Sequence, residues 1–206
     1  MSEPVRRIYL ASRSPRRREL LKQLGVTFEV LLFREAERRG ADIDESPQSG
    51  ERPEDYVQRL AQTKATAGAL YVAQRKLPIY PVLGADTTVA LDGQILGKPS
   101  GEEAAVEMLR ALSGRTHEVM TAVAICRQDT VNTRLSLSEV AFAPLSEQQI
   151  RAYVATGEPL DKAGAYAIQG RAAAFVRRMS GSYTGIMGLP LYETAELLKA
   201  TELAVS

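Results

Sequence analysis

The chain has 206 residues, 45% of them hydrophobic and 25% charged, with a formal net charge of +1. That length suits one domain, or two lobes around one sheet, with a substantial buried core. The near-zero charge argues against bulk nucleic-acid binding, and a single cysteine excludes an internal disulfide and a cysteine-rich zinc site.

Ile8, Tyr9 and Leu10 read as a short buried strand. The turn Ala11-Ser12-Arg13-Ser14-Pro15-Arg16-Arg17-Arg18 then leads into a helix. Ser14 suits the N-cap and Pro15 the first helical position, while Leu20, Leu21 and Leu24 recur at helical spacing before Gly25. A strand, a turn carrying Ser12 and Ser14, and an arginine-bearing helix start make an anion site, because N–H groups, the helix dipole and guanidinium forks converge there. Arg6 and Arg7 add to this basic cluster.

Val26–Phe33 reads as a second strand, and Arg34–Arg52 as a long polar loop holding Asp42, Asp44 and Glu45. Pro53 opens a helix to about Gln74. Val57, Leu60 and Ala61 mark its apolar face, and steps of three and four place Lys64 and Gly68 on that face. An inward lysine either snorkels to the surface or reaches an anionic site.

Val82–Leu91 reads as a strand, Asp92-Gly93 as a hairpin turn and Gln94–Leu96 as the return. Asp86 lies inside this strand, where carboxylates are depleted and burial without a partner is costly. It is either a structural carboxylate paired with arginine or amides, or a catalytic or metal-binding one. Strict alternation sets Asp86 and Thr87 on opposite faces, so lining one site together requires an end or bulge near Gly84. Lys98, in Gly97-Lys98-Pro99, is either a solvated loop residue or a phosphate ligand brought near Asp86 by the hairpin.

Ser100 with Glu103 reads as a capping box opening a helix to about Leu112, and Ser146 with Gln149 as another, whose helix ends near Gly157. Strands are predicted near Thr116–Cys126 and Asn132–Phe142, with Cys126 in the core. His117, the sole histidine, reads as structural, which removes a histidine-based zinc site and a Ser–His hydrolase arrangement. Asp161–Gly170 sets Lys162, Tyr166 and Gln169 among small residues, and the Gln169 amide can read a base edge. A strand around Ala174–Met179, a turn at Ser180–Ser182 and a helix over Leu189–Ala200 complete an α/β pattern. No apolar stretch approaches the ~20 residues of a membrane span, and the N-terminus lacks a secretory apolar run, so the expected compartment is the cytoplasm.

In order along the chain, Ala11–Arg17, Asp44-Glu45, Gly84-Ala85-Asp86-Thr87, Gly97-Lys98-Pro99, Asp161–Gly170 and Gly188-Leu189-Pro190-Leu191 resemble the Maf family of nucleoside triphosphate pyrophosphatases. The resemblance implies one Maf-like domain over residues 1–206: a twisted mixed β-sheet with flanking helices, in two lobes around a cleft, related to the ITPase fold and often dimeric. It implies hydrolysis of a nucleoside triphosphate to monophosphate and pyrophosphate with a divalent metal, Mg²⁺ or Mn²⁺. The proton acceptor falls on Asp86, and the basic and acidic site residues on Arg17, Glu45, Lys64 and Lys98; Glu45 with Asp86 would hold the metal. Subfamilies differ at positions that here are Arg16, Thr87 and Gln169. That trio resembles the dTTP/UTP pyrophosphatases and departs from the Trp, Gln and Glu typical of the 7-methyl-GTP subfamily. Two other readings stay open: a phosphatase releasing orthophosphate, and a non-catalytic regulator binding nucleotide or nucleic acid, tied to cell division.

Overall fold

The computed structural model describes residues 7–31 and 43–201. Arg6, Phe33 and Asp42 therefore lie outside the described residues. In chain order the elements are β1 (Arg7–Leu10), α1 (Pro15–Gln23), β2 (Thr27–Val30), α2 (Pro53–Gln74), β3 (Val82–Leu91), β4 (Gln94–Leu96), α3 (Glu102–Leu112), β5 (Thr116–Arg127), β6 (Thr130–Phe142), α4 (Glu147–Val154), β7 (Val176–Ser180), α5 (Tyr183–Met187) and α6 (Leu191–Ala200). Short 3₁₀ turns fill much of residues 158–175.

The seven strands form one mixed sheet in the order β2-β1-β3-β5-β6-β7, with β4 also on β3. β1 runs parallel to β2 and β3, and the other pairings are antiparallel. β1 reaches only as far as Leu83 and β4 begins at Val89. Between them, Gly84–Thr88 has no strand partner on that edge among the described residues. The other edge pairs without a break, Asp86 opposite Ala122 and Thr87 opposite Thr121. The end or bulge expected near Gly84 is therefore absent: the gap exposes one edge of β3, and side chains from both faces reach it.

Two apolar cores flank the gap. Leu83 and Ala85 pack with Val123, Ile125, α1 and α6. Val89 and Leu91 pack with Val119, α3, α4 and Phe142. On the opposite face, Ala61 and Ala65 of α2 pack against Met120, Ala122 and Ala124. The approach of α2 to the sheet is set by Gly84. A Cβ there would lie 2.4 Å from the Ala61 carbonyl oxygen and 2.5 Å from the Ala65 nitrogen, both backbone atoms.

Several expected boundaries shift. Ser14 caps α1, accepting from the Arg17 N–H, and Ser146 with Gln149 forms the capping box read from the sequence. Ser100 does not cap: α3 starts one residue later, Gly101 takes the N-cap position, and no side-chain cap bond forms. The described part of the second strand is confined to Thr27–Val30. The 174–179 strand begins at Val176 because Ala174 belongs to a 3₁₀ turn. α5, capped by Ser182, was not anticipated, and the last helix starts at Leu191.

His117 is 2% exposed, with Nε2 2.8 Å from the Tyr166 hydroxyl and edge-on contacts to Phe142 and Tyr166. Its Nδ1 has no partner among the described residues. Burial pulls its pKa down to about 4, below the ordinary histidine value.

Two outcomes follow from this packing. Gly84→Ala is expected to cost about 1–3 kcal/mol, since backbone lies on both sides of the new methyl; an unchanged urea midpoint would show that α2 lifts freely. Because the folded state refuses a proton that the unfolded chain accepts, His117 leaves stability intact above about pH 6.5 and removes up to about 3 kcal/mol as pH falls to 4. In His117→Gln the stability difference between pH 7 and pH 4.5 should shrink by most of that amount, and an identical pH slope would refute the assignment.

Candidate active site

The gap in the β3 edge opens into a cleft of about 1000 Å³. Ser12, Ser14, Arg16, Arg17, Glu45, Lys64, Asp86, Thr87, Lys98, Lys162 and Gln169 all line it. Six cations border the cleft, Arg13, Arg16, Arg17, Lys64, Lys98 and Lys162, against the carboxylates Glu45, Asp86 and Asp161. A chain of net charge +1 thus focuses its positive charge here.

Lys64 is at the centre. Its Nζ lies 2.6 Å from Asp86 Oδ1 and 2.8 Å from Glu45 Oε1. The Lys64 and Asp86 side chains are 14% and 12% exposed, so this inward lysine does not snorkel. The shared ammonium compensates a carboxylate in the middle of a strand, which otherwise carries a heavy desolvation cost. Burial pushes the Glu45 pKa up, but the charge and hydrogen bond of Lys64, with Lys98 and Arg17 behind them, prevail and hold it below the ordinary value. Asp44 turns away, its carboxylate accepting the Ser46 N–H.

Arg17 ties three elements together. Nε donates to the Gly188 carbonyl (2.7 Å), Nη1 to Ala85 O (2.8 Å) on the unpaired strand edge, and Nη2 to Thr87 Oγ1 (3.1 Å). A longer bond reaches Ser12 Oγ. Thr87 also meets Thr121, which donates to Gly185 O. Most Arg17 donors therefore serve the protein, while the charge remains beside the cleft. Arg16 and Lys98 have no ion-pair partner among the described residues. Lys162 bonds to Asp161 and to the Glu158 carbonyl.

The segment bearing Gln169 is anchored by Glu158, whose carboxylate accepts from the Tyr153 hydroxyl and the Arg171 N–H. Gln169 itself is exposed at the cleft. Tyr56, which also lines the cleft, went unnoticed in the sequence although its helical spacing from Leu60 placed it on the inward face. Arg59 was missed because its partners lie in a loop, where periodicity carries no signal, and Glu158 because its partners are split between α4, which bears Tyr153, and the 3₁₀ turn that starts at Arg171.

Among the described residues no group of three or more His, Cys, Asp or Glu could hold a metal ion. Glu45 and Asp86 are a pair of hard oxygen donors across one ammonium. Such a pair fits a small divalent cation whose remaining ligands come from phosphate and water, rather than an all-protein cage.

No helix among the described residues is long and apolar enough to cross a membrane. Among known proteins, the chain is 61% identical over 195 residues to a protein of Aromatoleum aromaticum named dTTP/UTP pyrophosphatase, spanning 94% of this chain and 95% of the relative. Proteins of the same name from Nitrosomonas europaea and Dechloromonas aromatica are 57% and 53% identical, covering 96% and 94% of this chain and 96% of each relative. The solved structure of the Staphylococcus aureus Ham1 protein aligns over 95% of this chain and 97% of its own, with a TM-score of 0.47 and 16% identity, a likeness too distant to bear on chemistry. A family profile described as Maf-like protein matches residues 7–201, and with relatives this similar over nearly its whole length the chain belongs to the Maf family.

Proposed function

We propose that the protein hydrolyses dTTP and UTP to the monophosphate and pyrophosphate. The observation that carries this reading is the Lys64–Asp86–Glu45 cluster at the centre of a cationic cleft. Its context supports it: relatives named dTTP/UTP pyrophosphatase are 53–61% identical.

Arg16 and Lys98 receive the triphosphate, with Ser12, Ser14 and Lys162 at the rim and the Arg17 charge behind them. Lys64 engages Oδ1 of Asp86, which leaves Oδ2 to accept a proton. As the water oxygen bonds to the α-phosphorus, that proton passes to Asp86 and the bond to the bridging oxygen breaks, releasing pyrophosphate. Glu45 and Asp86 would hold Mg²⁺ or Mn²⁺, which supplies charge neutralisation on the phosphoryl oxygens. Thr87 and Gln169 help read the pyrimidine ring. The enzyme acts on free nucleotides in the cytoplasm, without nucleic acid, as a homodimer.

Asp86→Asn should lower turnover by about 10²–10⁴-fold while dTTP still binds, as removal of a general base does. Near-normal turnover would sink the mechanism. Lys64→Met should lower kcat as well; unchanged kcat and KM would place Lys64 outside the machinery. With a panel of triphosphates and either cation, pyrophosphate rather than orthophosphate is the expected product. Orthophosphate would favour a phosphatase, binding without metal-dependent hydrolysis a regulator, and a preference for 7-methyl-GTP or other purines would overturn the substrate assignment.

A further inference from the structure

Glu45 sits on a loop, yet its carboxylate meets a lysine on a helix and approaches an aspartate on a strand. Its backbone is held in an unusual way. Three consecutive carbonyls are each taken by a side chain of α2: Arg59 Nη1 donates to Asp44 O (3.4 Å), the Tyr56 hydroxyl to Glu45 O (2.8 Å), and Arg59 Nη2 to Ser46 O (3.1 Å).

Arg59 is itself fixed. Nε donates to Glu51 Oε1 (2.6 Å) and Nη2 to Glu51 Oε2 (2.7 Å), a two-pronged pair. Glu51 also accepts the Gln48 N–H, which closes the loop on itself. The Glu51 side chain is 8% exposed. The Arg59 hydrogen bond, against some desolvation, holds its pKa at about 2, so the pair stays ionic through the neutral range. The Arg59 guanidinium also lies over the Tyr56 ring at 5.6 Å from its centroid. Neither Arg59 nor Glu51 lines the cleft.

We propose that Arg59, locked by Glu51, and Tyr56 are positioning residues that set Glu45 for the shared ammonium and for cation binding. The inference rests on the role given to Glu45 above. A half-exposed carboxylate on an untethered loop would sample many placements, and a displacement of about 1 Å can cost about 10²-fold in rate. Arginine suits the task because its planar fork reaches several acceptors at once, whereas lysine offers a point charge.

The test compares Glu45→Gln, the pair Arg59→Met/Glu51→Gln, which leaves no orphaned charge, and the triple combination. Tyr56→Phe, lacking only the hydroxyl, serves as a milder variant should the pair fold poorly. Two readouts are taken: kcat/KM for dTTP, and the dissociation constant of Mn²⁺ from the nucleotide-free protein by electron paramagnetic resonance. The paired variant is expected to weaken Mn²⁺ binding and lower kcat/KM by about tenfold each, the low end for groups that orient metal ligands. Added to Glu45→Gln it should change either readout by less than about twofold, because its effect passes through that carboxylate. Arg59→Lys should restore only part of the loss.

Wild-type Mn²⁺ affinity and kcat/KM in both the paired variant and Tyr56→Phe, with Glu45→Gln impaired, would overturn the clamp and leave the site reading standing. Losses that add fully to those of Glu45→Gln would reduce the clamp to general stability and overturn it too. A Glu45→Gln enzyme with wild-type behaviour would remove the role given to Glu45, and the clamp with it.

Discussion

A carboxylate in the middle of a ten-residue strand is the constraint on which the rest of this structure depends. Asp86, 8% exposed, cannot be buried there without a cation within reach. The cation comes from Lys64, one α2 turn beyond Leu60 and Ala61 on the same inward face. That lysine can reach Asp86 only if the helix lies very close to the sheet. Gly84, with no Cβ between strand and helix backbone, permits the approach. Strand composition, helix placement and site charge are therefore one linked arrangement rather than three.

The interrupted edge of β3 solves a second problem. In a regular strand Asp86 and Thr87 face opposite ways, so a closed sheet would separate them. Here β1 stops at Leu83 and β4 starts at Val89, and the stretch between presents both faces to one cleft. An unpaired edge leaves polar backbone groups exposed and needing partners. Arg17 supplies one at Ala85 O and extends the same fork to Thr87 and the Gly188 carbonyl. It does for the Thr87 face what Lys64 does for the Asp86 face.

Legibility in the sequence followed the range of each interaction. The Ser14 cap, the inward placement of Lys64 and the anomaly of Asp86 are all encoded within four residues, by capping chemistry or periodicity, and the structure bears out those placements. The Ser100–Glu103 pattern carries the same local signature but fails, because Gly101 takes the N-cap position and the helix starts at Glu102. The gap that makes the cleft depends on where β1 and β4 end against β3, which no single segment encodes. The same holds for Arg59, whose partners Asp44, Ser46 and Glu51 lie eight to fifteen residues away in a loop without periodic pattern. α5 is five residues long, too short for a periodic signal, and is held by the Ser182 cap and Thr184 contacts.

The cations around the cleft divide by what already satisfies them. Arg17 and Lys162 spend their donors on carbonyls, a hydroxyl and Asp161, and Lys64 is shared by two carboxylates. Arg16 and Lys98 have no ion-pair partner among the described residues, and both line the cleft, Arg16 partly buried and Lys98 exposed. Like charges held near one another raise the energy of the empty site, and a polyanion relieves that repulsion while gaining its own attraction. The paired cations cannot contribute as much, since a ligand must compete with partners already in place. On this accounting the fixed group, Arg17 with Lys64, maintains the geometry of the strand edge. The unpaired group supplies the electrostatic pull, and that pull should weaken with salt far more than the geometry does, because exposed charges are screened and buried ones largely are not.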